Sequence, residues 1–184
     1  MISVAIWAPT AIVVAVAMEL WAALLHGRAW HAILWRVHRS HHRARRGRFE
    51  ANDALSVLHA PIAIVAILYG CRAEVGVLRE IVFGVGVGMS VFGVAYFVVH
   101  DGLVHGRLPV AALARLPYFA RVRDAHLEHH AHADGPYGLF LGPWERRRAT
   151  HASPRARRAS PSGSSAPLPA STTPRGRPTA ASSP

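Results

Sequence analysis

The chain has 184 residues, room for one domain or one domain with an appendage, and little room for separate catalytic and cofactor-binding domains. Apolar residues make up 51% and charged residues 17%, with a mean hydropathy of +0.19, a balance that leans toward a membrane protein whose polar residues are segregated. All 21 basic residues are arginine and outnumber the 10 acidic ones to give +11, which suits an anionic partner, nucleic acid or a phospholipid surface; the single cysteine, Cys71, excludes an intrachain disulfide.

Ile2 to Leu25 is an apolar run of 24 residues broken by one acid, Glu19, and at ~1.5 Å per residue it exceeds a ~30 Å hydrocarbon core. It lacks a basic leader and a small-residue cleavage site, so it reads as a first transmembrane helix rather than a removable signal. Ala54 to Gly70 and Ile81 to Val99 are uncharged and read as a second and a third span. The ten-residue link between them, Cys71 to Glu80, makes a tight antiparallel hairpin. Asn52 and Asp53, just before the second span, read as a helix cap. Leu108 to Ala120 is too short and too proline-flanked to cross and reads as an interfacial or re-entrant element, giving about three to four membrane helices. From Ala149 the last 36 residues turn to Ser, Pro, Ala, Thr and Arg with no aromatic residue, a composition that cannot offset its chain entropy by burial. The expected division is a membrane-embedded domain over 1–148 and a disordered basic tail over 149–184, in an all-α integral membrane protein. A solvated tail that touches anionic lipid is favoured over a nucleic-acid arm, and no nucleic acid is expected.

Seven arginines lie between His26 and Asp53 and two in the hairpin link, so positive-inside counting puts the first loop in the cytoplasm. Everything after His100 then returns to that face, as a histidine-rich helical cap. Ten of the 13 histidines fall into four boxes there: His26-x4-His31, His38-x2-His41-His42, His100-x4-His105 and His126-x2-His129-His130. In each His-x2-His-His box the i, i+3 and i+4 spacing puts three imidazoles on one helix face, aimed at one spot, and His31 joins the first stripe from two turns away. His-x4-His differs, because five residues turn an ideal α-helix by about 140°, and both rings reach one ion only through a break or bulge; Gly27 and Gly102 are placed to supply one. Ten imidazoles exceed the four usual ligands of one zinc, and two metal ions fit the count. His59, His132 and His151 match no box and read as packing or surface groups. Glu19, two turns before His26, and Asp101 and Asp124, close to box histidines, are candidates to accept hydrogen bonds from ligand rings. Gly84-x-Gly86-x-Gly88 lies inside a span without the strand and turn of a dinucleotide fingerprint. It reads as a small-residue packing face.

The box order, with the strings HRSHH, RFEANDALSVLHA, FVVHDGLVHGRLP and AHLEHH, closely resembles the bacterial β-carotene 3-hydroxylases of the membrane fatty-acid hydroxylase and desaturase superfamily, from about Val4 to Gly142. The resemblance implies two non-haem iron ions on the ten box histidines, with no catalytic residue beyond those ligands. It also implies O2 as co-substrate and electrons from ferredoxin or a similar NADPH-derived donor. The implied reaction hydroxylates β-carotene at C3 of its ionone rings to give β-cryptoxanthin and zeaxanthin. A site at the cytoplasmic ends of the spans, in a bacterial cytoplasmic membrane, lets one ring reach iron while the polyene stays in lipid. Two alternatives share the features: a carotenoid ketolase or fatty-acyl or sterol oxygenase of the same superfamily, and a non-enzymatic membrane metal-binding protein.

Overall fold

The structure is a computed structural model and describes residues 4–43 and 49–152. It is all helix, with no strand among the described residues. Three helices are long and apolar enough to cross a membrane: Val4–Ile33, Asp53–Arg72 and Val77–Val104. The first begins as α1 (Val4–Leu25) and, without leaving helical backbone at Leu25, rewinds into a π-helical segment over His26–Ile33. A single turn of α2 (Trp35–His38) follows. The second span holds α3 (Asp53–Ser56) and α4 (Ala60–Arg72), and the third is α5 (Val77–Tyr96), which passes into a second π-helical segment over Phe97–Val104.

The hairpin link is shorter than expected. α4 ends at Arg72 and α5 begins at Val77, because Arg79 and Glu80 fold into the first turn of α5, buried and ion-paired at 2.7 Å. An acid in a first helical turn is favoured by the amide dipoles, so the charges that suggested a link are tolerated inside the helix. The expected element at Leu108 to Ala120 is also divided. Ala111–Arg115 is a 3-10 turn, and Pro117 opens α6 (Pro117–His132). α7 (Gly142–Ala152) then runs past the expected boundary at Ala149, so the first four residues assigned to the tail are helical. The rest of the tail, and Arg45, Arg46 and Arg48 of the first loop, lie outside the described residues.

α5 is the central post, with α1 and α4 packed on it. Its glycines make both approaches possible. A Cβ on Gly84 or Gly88 would come within 2.6 Å of the Trp7 carbonyl oxygen or 2.5 Å of that of Ala11 on α1, and one on Gly86 within 2.8 Å of the Ala63 oxygen on α4. This is small-residue packing, in which van der Waals contact replaces the hydrophobic effect as the adhesive. Helix α1 fills the Gly84/Gly88 face, leaving no room there for a polyene. The outward side of α1 carries Ile12, Val13, Val16 and Leu20, all exposed, as a lipid-facing surface requires. Below the spans, Val99 and Leu103 of the second π segment pack with Val122 of α6 and Leu139, seating α6 under α5.

Gly88→Val is expected to force α1 off α5, an overpacking cost of about 1–3 kcal/mol, and to lower folded yield and melting temperature in detergent. Gly93→Ala, whose Cβ meets nothing within 4 Å, should not; equal losses in the two would mean that the α1–α5 approach is not set by these glycines.

Candidate metal centre

The two π segments solve the His-x4-His problem. An i→i+5 hydrogen bond brings residue i+5 back over residue i, and the amide of His105 donates to the carbonyl of His100 at 3.1 Å in this way, as Leu34 does to Ala29 at 2.8 Å. His26 and His31 thereby face one point, as do His100 and His105. The glycines act differently from the breaks expected of them. A Cβ on Gly27 would lie 2.9 Å from the Tyr137 ring and one on Gly102 2.8 Å from Val110, so both permit close packing beside an unbroken helix.

The ligand-capable nitrogens of His26, His31, His38, His42 and His129 lie within 4.8 Å of one another, and so do those of His41, His105, His126 and His130. His100 adjoins the second set, its Nε2 3.0 Å from that of His41. All ten box histidines are therefore gathered, but each His-x2-His-His box is split between the sets. His38 and His42 go to the first set and His41 to the second; His126 and His130 go to the second and His129 to the first. The expectation that three rings of a box converge on one spot fails for a geometric reason: on α6 positions i+3 and i+4 differ by about 100° around the helix, so His129 and His130 diverge, and in the first box α2 ends at His38, leaving His41 and His42 on a turn that parts them.

Hydrogen bonding fixes the tautomers. His26 Nδ1 donates to the Tyr137 carbonyl at 2.9 Å and His38 Nδ1 to Asn52 Oδ1 at 2.7 Å, which leaves a bare lone pair on each Nε2; yet those two atoms are 3.1 Å apart. In the second set His41 Nδ1 donates to Glu50 Oε2 at 3.3 Å and His100 Nδ1 to Asp101 Oδ2 at 3.1 Å, again turning two lone pairs toward each other at 3.0 Å. Two facing lone pairs repel unless a cation lies between them. A proton is a poor candidate, because burial, reinforced by neighbouring imidazoles, drives the pKa of His41 far below the ordinary range. Burial also takes His38 and His129 to about 4 and His105 to about 3. His105 Nε2 is a further buried nitrogen with no hydrogen-bond partner among the described residues. Neutral, buried, preoriented imidazoles in two adjoining sets fit a di-iron site.

Of the three candidate acceptors, Asp101 holds a ligand-set ring and also pairs with Arg107 at 2.7 Å. Glu19 is buried but accepts the backbone amide of Leu141 at 2.8 Å, tying α1 to the loop that supplies the Tyr137 carbonyl. Its role runs through that loop rather than through an imidazole. Asp124 pairs with its neighbour Arg123 at the surface, on the side of α6 away from the rings. Asn52, read as a cap, makes no capping bond and instead holds His38. Sequence reasoning missed Glu50 and Arg107, which ion-pairs with Glu50, Asp53 and Asp101, and it had no signal for the carbonyls of Tyr137 and Asp134 that receive His26 and His129. His132 is exposed and bonded within its own helix, and His59 accepts from Trp21 Nε1 at 2.9 Å. The side chain of His151 lies outside the described residues.

A cavity of about 350 Å³ lies between α1, α4 and α5. Trp21, Trp30, Phe92, Tyr96 and Phe97 wall it, and Asp101 is among its lining residues. Trp30 lies 5.5 Å from the His26 ring and Tyr96 stacks on His100 at 4.8 Å, so the apolar wall backs directly onto the imidazoles.

The fold and the site together define a membrane-type helical protein with two adjoining all-histidine clusters of metal-ligand type. The sequence signature described as fatty acid hydroxylase matches residues 11–150, and the chain belongs to that family. It is 50% identical over 133 residues to β-carotene hydroxylase 1, chloroplastic, of Capsicum annuum, covering 71% of this chain and 42% of the relative. It is likewise 50% identical over 133 residues to the chloroplastic β-carotene 3-hydroxylase of Gentiana lutea, covering 71% and 41%. With β-carotene hydroxylase of Pseudescherichia vulneris it is 46% identical over 116 residues, 63% of each chain. The chain thus spans about two fifths of the length of the plant relatives it matches. No solved structure matches it.

The imidazole pKa values carry a sign for stability. His38 and His129 resist protonation down to about 4, while in the unfolded chain they take up protons near 6.5, so stability present above 6.5 is lost as the pH falls toward 4. Metal-free protein in detergent should melt at a clearly lower temperature at about pH 5 than at about pH 7.5. An unchanged melting temperature would mean that the rings titrate freely in water.

Proposed function

We propose that the chain is a carotenoid hydroxylase that inserts oxygen at C3 of the ionone rings of β-carotene, giving β-cryptoxanthin and then zeaxanthin. The observation that carries this reading is the pair of imidazole sets with opposed lone pairs, backed by aromatic side chains that wall an apolar cavity; the names of the relatives supply the substrate. His26, His31, His38, His42 and His129 would hold one iron, and His41, His100, His105, His126 and His130 the other. When bound, the irons supply the power to split O2, one oxygen atom entering an unactivated C–H bond and the other leaving as water with two electrons and two protons.

The rest is work for the protein. The Nδ1 anchors of His26, His38, His41, His100 and His129 hold those five rings in one orientation, so their ligand atoms need little rearrangement on binding. The aromatic cavity has the volume of an ordinary small-molecule site, about 300–1,000 Å³, enough to seat one end group of a long apolar substrate while the remainder stays in lipid. Its wall excludes water from the reacting carbon. Gly84, Gly86 and Gly88 are packed against helices and offer no cradle for a dinucleotide, so the electrons are assigned to a ferredoxin-type partner fed by NADPH. The arginine count supports a centre on the cytoplasmic side, and a bacterial cytoplasmic membrane is its proposed setting.

In a β-carotene-accumulating bacterium the chain should add one and then two oxygens to the pigment by mass. Ketone products would move the assignment to a ketolase, and unchanged pigment beside membrane-inserted, iron-loaded protein would remove carotenoids as substrates. In the same assay His41→Ala should abolish turnover and lower iron from about two to about one per chain, whereas His132→Ala should change neither. Reporter fusions at His42 and Glu145 should report the cytoplasm and one at Glu74 the opposite side; a cytoplasmic Glu74 would overturn the orientation.

A further inference from the structure

The two imidazole sets differ in what receives their N–H protons. In the first, His26 and His129 donate to the backbone carbonyls of Tyr137 and Asp134, and His38 donates to the amide oxygen of Asn52; all three acceptors are neutral. In the second, His41 and His100 donate to the carboxylates of Glu50 and Asp101. Those carboxylates are fixed by one guanidinium: Arg107 reaches Glu50 Oε1 at 3.1 Å, Asp53 Oδ1 at 2.7 Å and Asp101 Oδ1 at 2.7 Å. Three carboxylates against one arginine leave two net negative charges beside the second set, with Glu50 and Asp101 largely shielded from water. On the first-set side the carboxylate of Asp134 stands on an exposed residue and is screened, while Glu19 and Glu145 accept the backbone amides of Leu141 and Tyr137 and receive no ring N–H.

We propose that the two metal sites are unequal: the set of His41, His100, His105, His126 and His130 binds its ion first and more tightly, because Arg107 presents Glu50 and Asp101 to its rings as anionic acceptors. The inference rests on the two-metal reading. An imidazole whose N–H leans on a carboxylate is a stronger donor at its other nitrogen than one bonded to a neutral carbonyl, and partners of this kind change metal affinity by about 10–100-fold when removed. The surplus negative charge acts in the same direction, since a divalent cation is drawn to it through a medium of low dielectric constant. Arg107 is a positioning residue here. It keeps three mutually repelling carboxylates in place without touching a ring.

The test uses the full chain in detergent, stripped by chelator and titrated with Co(II), followed by visible absorption and calorimetry. The parent should take up two ions in two separated steps. Glu50→Gln and Asp101→Asn, which keep the acceptor oxygen and remove its charge, should weaken the tighter step by about 10–100-fold, alter its cobalt spectrum and leave the other step in place. Asn52→Ala should weaken the looser step alone. If Asp101→Asn fails to fold, Glu50→Gln carries the test, its side chain lying at the edge of the site at 11% exposure. Two equal steps in the parent, or carboxylate variants that weaken the looser step, would overturn the inequality while leaving the two-metal reading intact. Uptake of fewer than two ions by the parent would overturn that reading and this inference with it.

Discussion

A neutral imidazole carries one N–H and one lone pair, and once the ring is buried water can satisfy neither. Ten such rings packed below three apolar helices are therefore costly unless each N–H finds an acceptor and each lone pair a cation. Much of the polar structure around the site meets the first half of that demand. The segment at 49–53 folds in to bring Glu50 and Asn52 under His41 and His38. The loop after α6 comes back to place two carbonyls under His26 and His129, and Glu19 and Glu145 hold that loop by its backbone amides. The second half of the demand is left to the lone pairs themselves, which meet in opposition. This is why the arrangement favours bound metal over a merely histidine-rich surface.

The same constraint accounts for the winding of the helices. A ligand ring at the end of a span and another five residues on cannot share an ion on an α-helix, and both spans that lead into the site change to π geometry at the histidine box. The π segments carry His26, His31 and His100 on continuous helix, with His105 at the cap, so this part of the site is mounted on the ends of rigid spans. Precision follows from that mounting. The glycines within these segments permit neighbouring side chains to close over the backbone, with Tyr137 against Gly27 and Val110 against Gly102.

The spans in turn decide what can approach. α1 and α4 grip α5 through its glycines, and the space left between the three is an aromatic cavity lined in part by Asp101, a carboxylate that holds His100. The cavity wall and the imidazole clusters thus share structural members. The ring stacking of Tyr96 on His100 and the approach of Trp30 to His26 make the cavity wall and the outer face of the ligand sets one layer of side chains.

The sequence by itself determined which residues these would be. Apolar runs of membrane length are one-dimensional properties, so three spans were legible, the second and third within about five residues at each end, while the first runs on past Leu25 to Ile33 in π winding. The ten box histidines could be chosen over His59, His132 and His151 by spacing alone, and the need for a bulge in His-x4-His followed from helix arithmetic. What sequence could not decide was how the ten rings divide. Whether His41 joins His38 or turns to His100 depends on α2, α6 and the two π segments meeting at set angles, and the split of each box between the two sets follows from that meeting. The acceptors were hidden for a related reason. Asn52 looks like a cap, Glu50 and Arg107 look like surface charges, and a backbone carbonyl has no side-chain identity to read; each acquires its role only when the chain brings residues 5 to 111 positions apart into hydrogen-bonding distance.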